Sequence, residues 1–216
     1  MSVNDKFMPI SVSLKDRACL VVGGDLAALQ EVESLLEYDA AITVIAPSAH
    51  EKLEYHAKRG RITLEKREYQ SSEAAAYGFV VSAAEDAEVN TQVHGDASEA
   101  GVLVNVVGDL AHCDFIFPEV LRRDCLTAAI STDGKASFVS GHLRVILDNI
   151  FPAHWERLMN LAASFQSSVE SRWADDPAAK NACYSEFLEA DWKKMLEELS
   201  DEQIERELTR MLEMPE

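Results

Sequence analysis

The chain has 216 residues, 47% of them hydrophobic and 27% charged, enough for one large domain or two small ones with a true core. Against 20 basic residues stand 38 acidic ones, a formal charge of −18. That charge repels nucleic acid and anionic lipid unless a basic patch gathers locally, so neither is an expected partner. No run approaches the roughly 18 to 20 apolar residues of a spanning helix, and Met1 to Phe7 carries no secretory signal pattern.

The first half alternates two signals. Ala18 to Val22 is a short apolar run of strand type, closed by Gly23-Gly24. Leu26, Leu29, Val32, Leu35 and Leu36 then recur at helical spacing. Ile42 to Ala46 is a β-branched strand stopped by Pro47. Ser48 is the expected cap of a helix from Glu51 to Lys58. Arg61 to Glu65 and Phe79 to Ala83 are further strands. Val89 to Ala100 reads as a helix ending at Gly101, and Val102 to Val107 as a fifth strand. Apolar strands separated by amphipathic helices specify a doubly wound parallel sheet of the α/β class.

The middle changes character. Phe115 to Phe117, Leu126 to Ser131 and Ser137 to Val139 read as strands separated by turns, and Gly141 to Asn149 as a helix. After Pro152 the chain becomes helical. Trp155, Leu158, Leu161, Ala162 and Phe165 keep a helical period. Phe187, Leu188, Trp192, Leu196, Leu199, Ile204, Leu208 and Leu212 form an apolar stripe that reads as a small helical bundle. The expected divisions are 1–113, 114–150 and 151–216.

Cys19, Cys113, Cys125 and Cys183 form no CxxC pair, and the 6 histidines form no HExxH. In a chain of this length they read as reduced thiols in a cytoplasm, with Cys19 in the core and no metal site implied.

A strand running into Gly23-Gly24 and then a helix is where a dinucleotide's pyrophosphate binds. The glycines make the tight turn and let backbone N–H groups approach the phosphates at the positive helix end. Further motifs follow in order: Pro9-Ile10, Leu14-Lys15, Thr43 to Pro47, Asn90, Leu103 to Val107, Cys113 to Pro118 and Ala129 to Thr132. Over residues 7 to 147 the chain resembles the precorrin-2 dehydrogenase and sirohydrochlorin ferrochelatase family, the single-domain relatives of the siroheme synthase N-terminal half. The Cys-Asp-Phe-Ile-Phe-Pro stretch beside Asn-Val-Val is the most specific part.

The resemblance implies a homodimer with a Rossmann-like domain, a dimerisation strand region and a C-terminal helical region. It implies oxidation of precorrin-2 to sirohydrochlorin with NAD, followed in some members by iron insertion. The tetrapyrrole substrate would lie in a cleft between the nucleotide domain and the dimer region. Cofactor contacts would come from Gly23, Gly24, Asp25, Pro47, Ala84 and Asn105.

Three departures from the family pattern bear on activity. The third turn glycine falls on Asp25, which reads either as a like charge beside the pyrophosphate or as the cap of its own helix. Both readings weaken NAD binding, because the cap uses N–H groups that a phosphate needs. A family threonine falls on Ala84. The family's loop aspartate falls on Gly108, leaving Asp109 and His112 as substitute acid–base groups. In the dimer region Thr132, Gly134 and Lys135 are kept within Ser131 to Ser137. Arg122, Arg123, Lys135 and Arg144 are either cations for substrate carboxylates or a solvated face; Thr132, Lys135 and Arg144 are the expected substrate contacts. Two rival readings remain: a chelatase without dehydrogenation, with contacts from His112, Cys113, Asp114 and His142, and a catalytically silent tetrapyrrole-binding scaffold.

Overall fold

The computed structural model describes residues 6–151 and 155–213. Residues 1–5 of the N-terminal segment and Pro152 lie outside that range. Two compact units divide the chain: Met1–Phe117 with Asp133–Lys135, and Pro118–Thr132 with Ala136–Glu216.

The first unit is the expected parallel sheet, of five strands. β1 (Ala18–Val22), β2 (Ala41–Ile45), β3 (Thr63–Glu65), β4 (Phe79–Ser82) and β5 (Leu103–Val106) stand in the order β3-β2-β1-β4-β5. β1 pairs in parallel with both β2 and β4, so the chain winds outward to β3 and returns on the other side of β1. That reversal makes a crevice at the carboxyl ends of β1 and β4.

Strand alternation fills two cores. Cys19 and Val21 enter one core with Ala28, Leu29, Val32 and Leu35 of α1 (Leu26–Leu36) and Leu53 of α2 (Glu51–Lys58). Leu20 and Val22 enter the other with Val93 and Ala97 of α3 (Ala87–Ala100). Burying one such Leu or Val contributes about 1.5–3 kcal/mol. The core position of Cys19 pushes its thiol up to about 11 through loss of solvation. α3 opens on the Asp86 carboxylate and ends at Gly101, whose φ of 69° is left-handed.

Ser48 does not cap α2. The cap is His50, whose Nδ1 accepts from Lys52 N at 3.2 Å. The chain wraps around Gly24 first: His50 N donates to the Gly24 carbonyl at 2.6 Å, and the helix begins only beyond that bond. Phe115 to Phe117 is irregular chain, not a strand. The Asn105 side-chain amide donates to the Phe115 carbonyl at 2.9 Å, and Phe115 packs on Phe79 with ring centroids 4.1 Å apart. A side chain and a ring thus hold the segment where ladder bonds were expected.

The second unit begins with an antiparallel pair, β6 (Glu119–Arg123) and β7 (Leu126–Ile130), joined at Asp124 and Cys125. Ser137 to Val139, expected as a strand, opens α4 (Ser137–Ile150). Thr132 Oγ1 accepts from Ala136 N at 3.2 Å, and Ser140 N donates to Ala136 O, so the turn of helix starts there. The remaining helices are α5 (Trp155–Arg172), α6 (Pro177–Glu189), α7 (Trp192–Glu198) and α8 (Asp201–Leu212). Their core contains Leu158, Phe165, Cys183, Phe187, Trp192, Ile204 and Met211. Buried Trp192 satisfies its indole N–H on the Phe187 carbonyl at 2.6 Å. Asp176 caps α6 just before Pro177, and Ser200 with Gln203 forms a reciprocal capping box on α8. Leu188 departs from the expected stripe and is 79% exposed. Among the described residues no helix is long and apolar enough to cross a membrane.

Candidate functional site: the glycine turn and the loop after the fifth strand

The glycine turn lies at the crevice. Gly23 has a φ of 128°, and a β-carbon there would overlap the Ala83 carbonyl, with the carbonyl carbon at 2.6 Å. Its N–H donates to the Ile45 carbonyl at 3.0 Å. Gly24 is hemmed in by Ser48 and Ala46, next to Pro47. Gly23, Gly24, Pro47 and Ala84 therefore converge at the ends of β1, β2 and β4. The packing of main chain on main chain accounts for both glycines.

Asp25 is the cap of α1. Its backbone is extended and Oδ1 accepts from Ala28 N at 3.1 Å. The Leu26 and Ala27 N–H groups, first in the helix, have no intrahelical acceptor. The turn thus keeps donors suited to a phosphate and sets one carboxylate among them. Ala84 is fixed by Asn90: Asn90 Oδ1 accepts from Ala84 N at 3.1 Å and from Ser82 Oγ at 2.7 Å, while Nδ2 donates to Ala84 O at 2.9 Å. Asn90 clamps the β4–α3 connection.

A second cluster follows β5. Asp109 N donates to Val106 O at 3.0 Å, and Gly108 at φ 83° occupies the position where a type II turn needs a glycine. Asp109 Oδ1 accepts from Ala111 N at 3.1 Å, and Oδ2 lies 2.6 Å from His112 Nδ1. The His112 bond is the main reason that the Asp109 carboxyl is held below the ordinary aspartate range. A carboxylate only accepts, so the neutral imidazole carries its proton on Nδ1 and leaves Nε2 as an acceptor. Both side chains are close to half exposed. They border a cleft of about 170 Å³ with Asn90, Thr91, Val107 and Gly108.

The loop is strapped from beneath. The buried Cys113 Sγ lies 3.3 Å from Val106 O and 3.2 Å from Asp109 O, which share its single S–H. Burial, more than any other influence, pushes this thiol up. Asp114 Oδ2 accepts from Val104 N at 3.1 Å. Asn105 is buried, with its amide turned to Phe115 O and Cys113 Sγ. Cys113, Asp114 and Asn105 are thus occupied in supporting the loop. His142 belongs to the second unit, and among the described residues no group of three or more His, Cys, Asp or Glu is disposed to hold a metal ion.

The expected substrate contacts divide between the units. Lys135 is exposed and belongs to the first, close in sequence to Gly134, which packs on Leu110. Thr132 and Arg144 belong to the second. Thr132 anchors the start of α4, and Arg144 Nε lies 3.5 Å from Glu119 Oε2. Arg123 binds the Phe151 carbonyl at 2.8 Å and Asp148.

A family model described as "Putative NAD(P)-binding" matches residues 10–119. The siroheme synthase of Nitrosococcus oceani is 34% identical over 167 residues, 77% of this chain and 36% of that protein. The siroheme synthase of Pseudoalteromonas translucida is 37% identical over 169 residues, 78% of this chain and 36% of that protein. The solved structure of SirC, precorrin-2 dehydrogenase, superposes with a TM-score of 0.74 at 22% identity, covering 96% of this chain and 99% of that one. This chain belongs to the family described as "Putative NAD(P)-binding". It spans about a third of the length of the siroheme synthases it matches. The family match takes in both the glycine turn and the Asp109–His112 loop, and the SirC likeness extends the shared fold through the helical tail.

Proposed function

We propose that the chain oxidises precorrin-2 to sirohydrochlorin with NAD, as a step of siroheme formation. The observation that carries this reading is the Asp109–His112 pair, 2.6 Å apart on a cleft at the end of β5. The α1 N-terminus, with Gly23, Gly24, Pro47 and Ala84 around it, would hold the pyrophosphate, and Asp25 opposes it with a like charge. NAD bound there would supply the hydride acceptor. His112 Nε2 takes the proton that leaves the substrate with that hydride. Asp109 holds the ring by Nδ1 and stabilises the imidazolium that forms. Asn90 keeps the Ala84 connection in place beside the cleft. Thr132, Lys135 and Arg144 are the proposed contacts to substrate carboxylates. The molecule works as a cytoplasmic homodimer, with 114–150 as the dimerisation region between a Rossmann-like 1–113 and a helical 151–216.

The test is a steady-state assay of the purified chain with precorrin-2 and NAD, following NADH and sirohydrochlorin together. Turnover in the wild type, lowered by about 10²- to 10⁴-fold in His112→Ala, is the expected result. Absence of both products overturns the reading. A tetrapyrrole-binding protein without dehydrogenase activity, or a chelatase, is the second reading. It is favoured by the Asp25 carboxylate seated on the Ala28 N–H, and metal insertion into sirohydrochlorin separates its two forms.

A further inference from the structure

We propose that His94 is a positioning residue for His112, fixing the imidazole so that Nε2 faces the cleft; this rests on the reading of His112 as the proton acceptor. His94 lies on α3 one turn beyond Asn90 and three residues beyond Thr91, both of which border the cleft. Its ring meets the His112 ring edge to face, with centroids 4.5 Å apart and planes at 66°. That arrangement is the favoured one for two π-systems. The contact spans 18 residues of sequence and joins α3 to the loop after β5.

The need for a second contact follows from the geometry of the first. The 2.6 Å bond to Asp109 holds one atom of the His112 ring. That bond is lost when His112 rotates about its Cα–Cβ and Cβ–Cγ bonds, and the side chain is 43% exposed, so packing from its own loop does not stop the rotation. The His94 ring closes off that motion from the side. His94 is itself held, with Nε2 3.4 Å from Ser98 Oγ one turn along α3. Its imidazole also lowers the Asp109 carboxyl, less than the His112 bond does. A catalytic group needs a supporting shell of this kind to stay within a productive geometry.

The experiment is long-range ¹H–¹⁵N NMR of the ¹⁵N-labelled full chain without substrate, which reads the His112 tautomer directly. The wild type is expected to show Nδ1 protonated in nearly all molecules. His94→Ala is expected to show a mixture of tautomers, and His94→Phe, which keeps a ring without ionising, to restore the wild-type spectrum. An unchanged His112 tautomer in His94→Ala overturns the proposal. So does failure of His94→Phe to restore it, since packing is then not what fixes the ring. Ser98→Ala gives a milder form of the same test should His94→Ala fold poorly, with a partial tautomer shift expected and no shift counting against. In the dehydrogenase assay His94→Ala is expected to lower kcat about tenfold with KM unchanged. If His112→Ala retains full turnover while the tautomer result stands, the proton-acceptor reading has failed and the positioning contact has not.

Discussion

Gly24 and Ser48 leave no room between them for a side chain. A β-carbon on Gly24 would overlap the Ser48 carbonyl oxygen and stand 2.8 Å from the Ala46 Cβ. Gly24→Ala is therefore expected to destabilise the first unit by about 1–3 kcal/mol, the usual cost of overpacking. Gly101→Ala makes the control. Gly101 has a φ of 69° but open space around it, so that variant suffers backbone strain alone, about 1 kcal/mol. Thermal unfolding of the two variants should rank them in that order; equal losses would mean that crowding at Ser48 is relieved.

The cap on α1 predicts opposite effects on stability and on binding. Replacing a capping aspartate by glycine costs only a few tenths of a kcal/mol. Removing a carboxylate near a phosphate should strengthen binding by about 1 kcal/mol, or several-fold. Asp25→Gly should therefore bind NAD more tightly by calorimetry while melting at nearly the wild-type temperature. Equal or weaker binding would place the carboxylate clear of the phosphate.

The sequence resemblance sets Gly108 where an aspartate is expected, and its φ of 83° resists most side chains. Nothing lies within 4 Å of a β-carbon there. The chain already carries Asp16, Asp39, Asp124 and Asp133 at positive φ, so aspartate is a residue this backbone accommodates. Gly108→Asp should fold with a loss of about 1 kcal/mol and gain dehydrogenase turnover. Gly108→Val should lose more stability and gain nothing. A folded Gly108→Asp that binds both ligands and stays inactive would favour the scaffold reading.

The depressed Asp109 carboxyl makes a pH prediction. A carboxyl whose folded value lies below its unfolded one adds stability at pH above the unfolded value, about 3.9, and loses it as pH falls through the folded value. The contribution is small because the pair is near half exposed. Carboxyl ¹³C titration should find Asp109 protonating below the ordinary aspartate range in the wild type. In His112→Ala the transition should move up toward that range, since the histidine bond is the largest cause of the depression.

The apolar face of α4 predicts assembly. Phe138 is 81% exposed, Ile150 54% and Val145 51%, beside a two-stranded sheet with open edges. Light scattering at micromolar concentration should give the mass of a dimer, and Phe138→Asp with Val145→Asp should give a monomer that stays folded. A monomeric wild type would sink the dimer proposal.

The sheet was legible because its strands are apolar on both faces: Leu20 and Val22 serve one core, Cys19 and Val21 the other. Period and composition then agree. Phe115 to Phe117 has the same composition, but its carbonyl bond goes to the Asn105 side chain, a long-range partner that no local pattern announces. β6 was missed because Glu119, Arg122 and Arg123 break the apolar run that marks a strand. Ser137 to Val139 looked extended only when cut off from Leu143, Val145 and Ile146, which continue it at helical spacing. In the site, Asp109 and His112 were visible as neighbours three apart. His94 was not, because its meeting with His112 depends on α3 lying against the loop after β5.

The strapping of that loop separates support from chemistry. Cys113, Asp114 and Asn105 face inward and carry the bonds that hold its path. Gly108, Asp109 and His112 face the cleft. Substitutions at the outward set replace none of the three anchoring side chains. The loop is in effect a socket whose supports and fittings are different residues, so the cleft-facing side chains can change while the three that anchor the path stay in place.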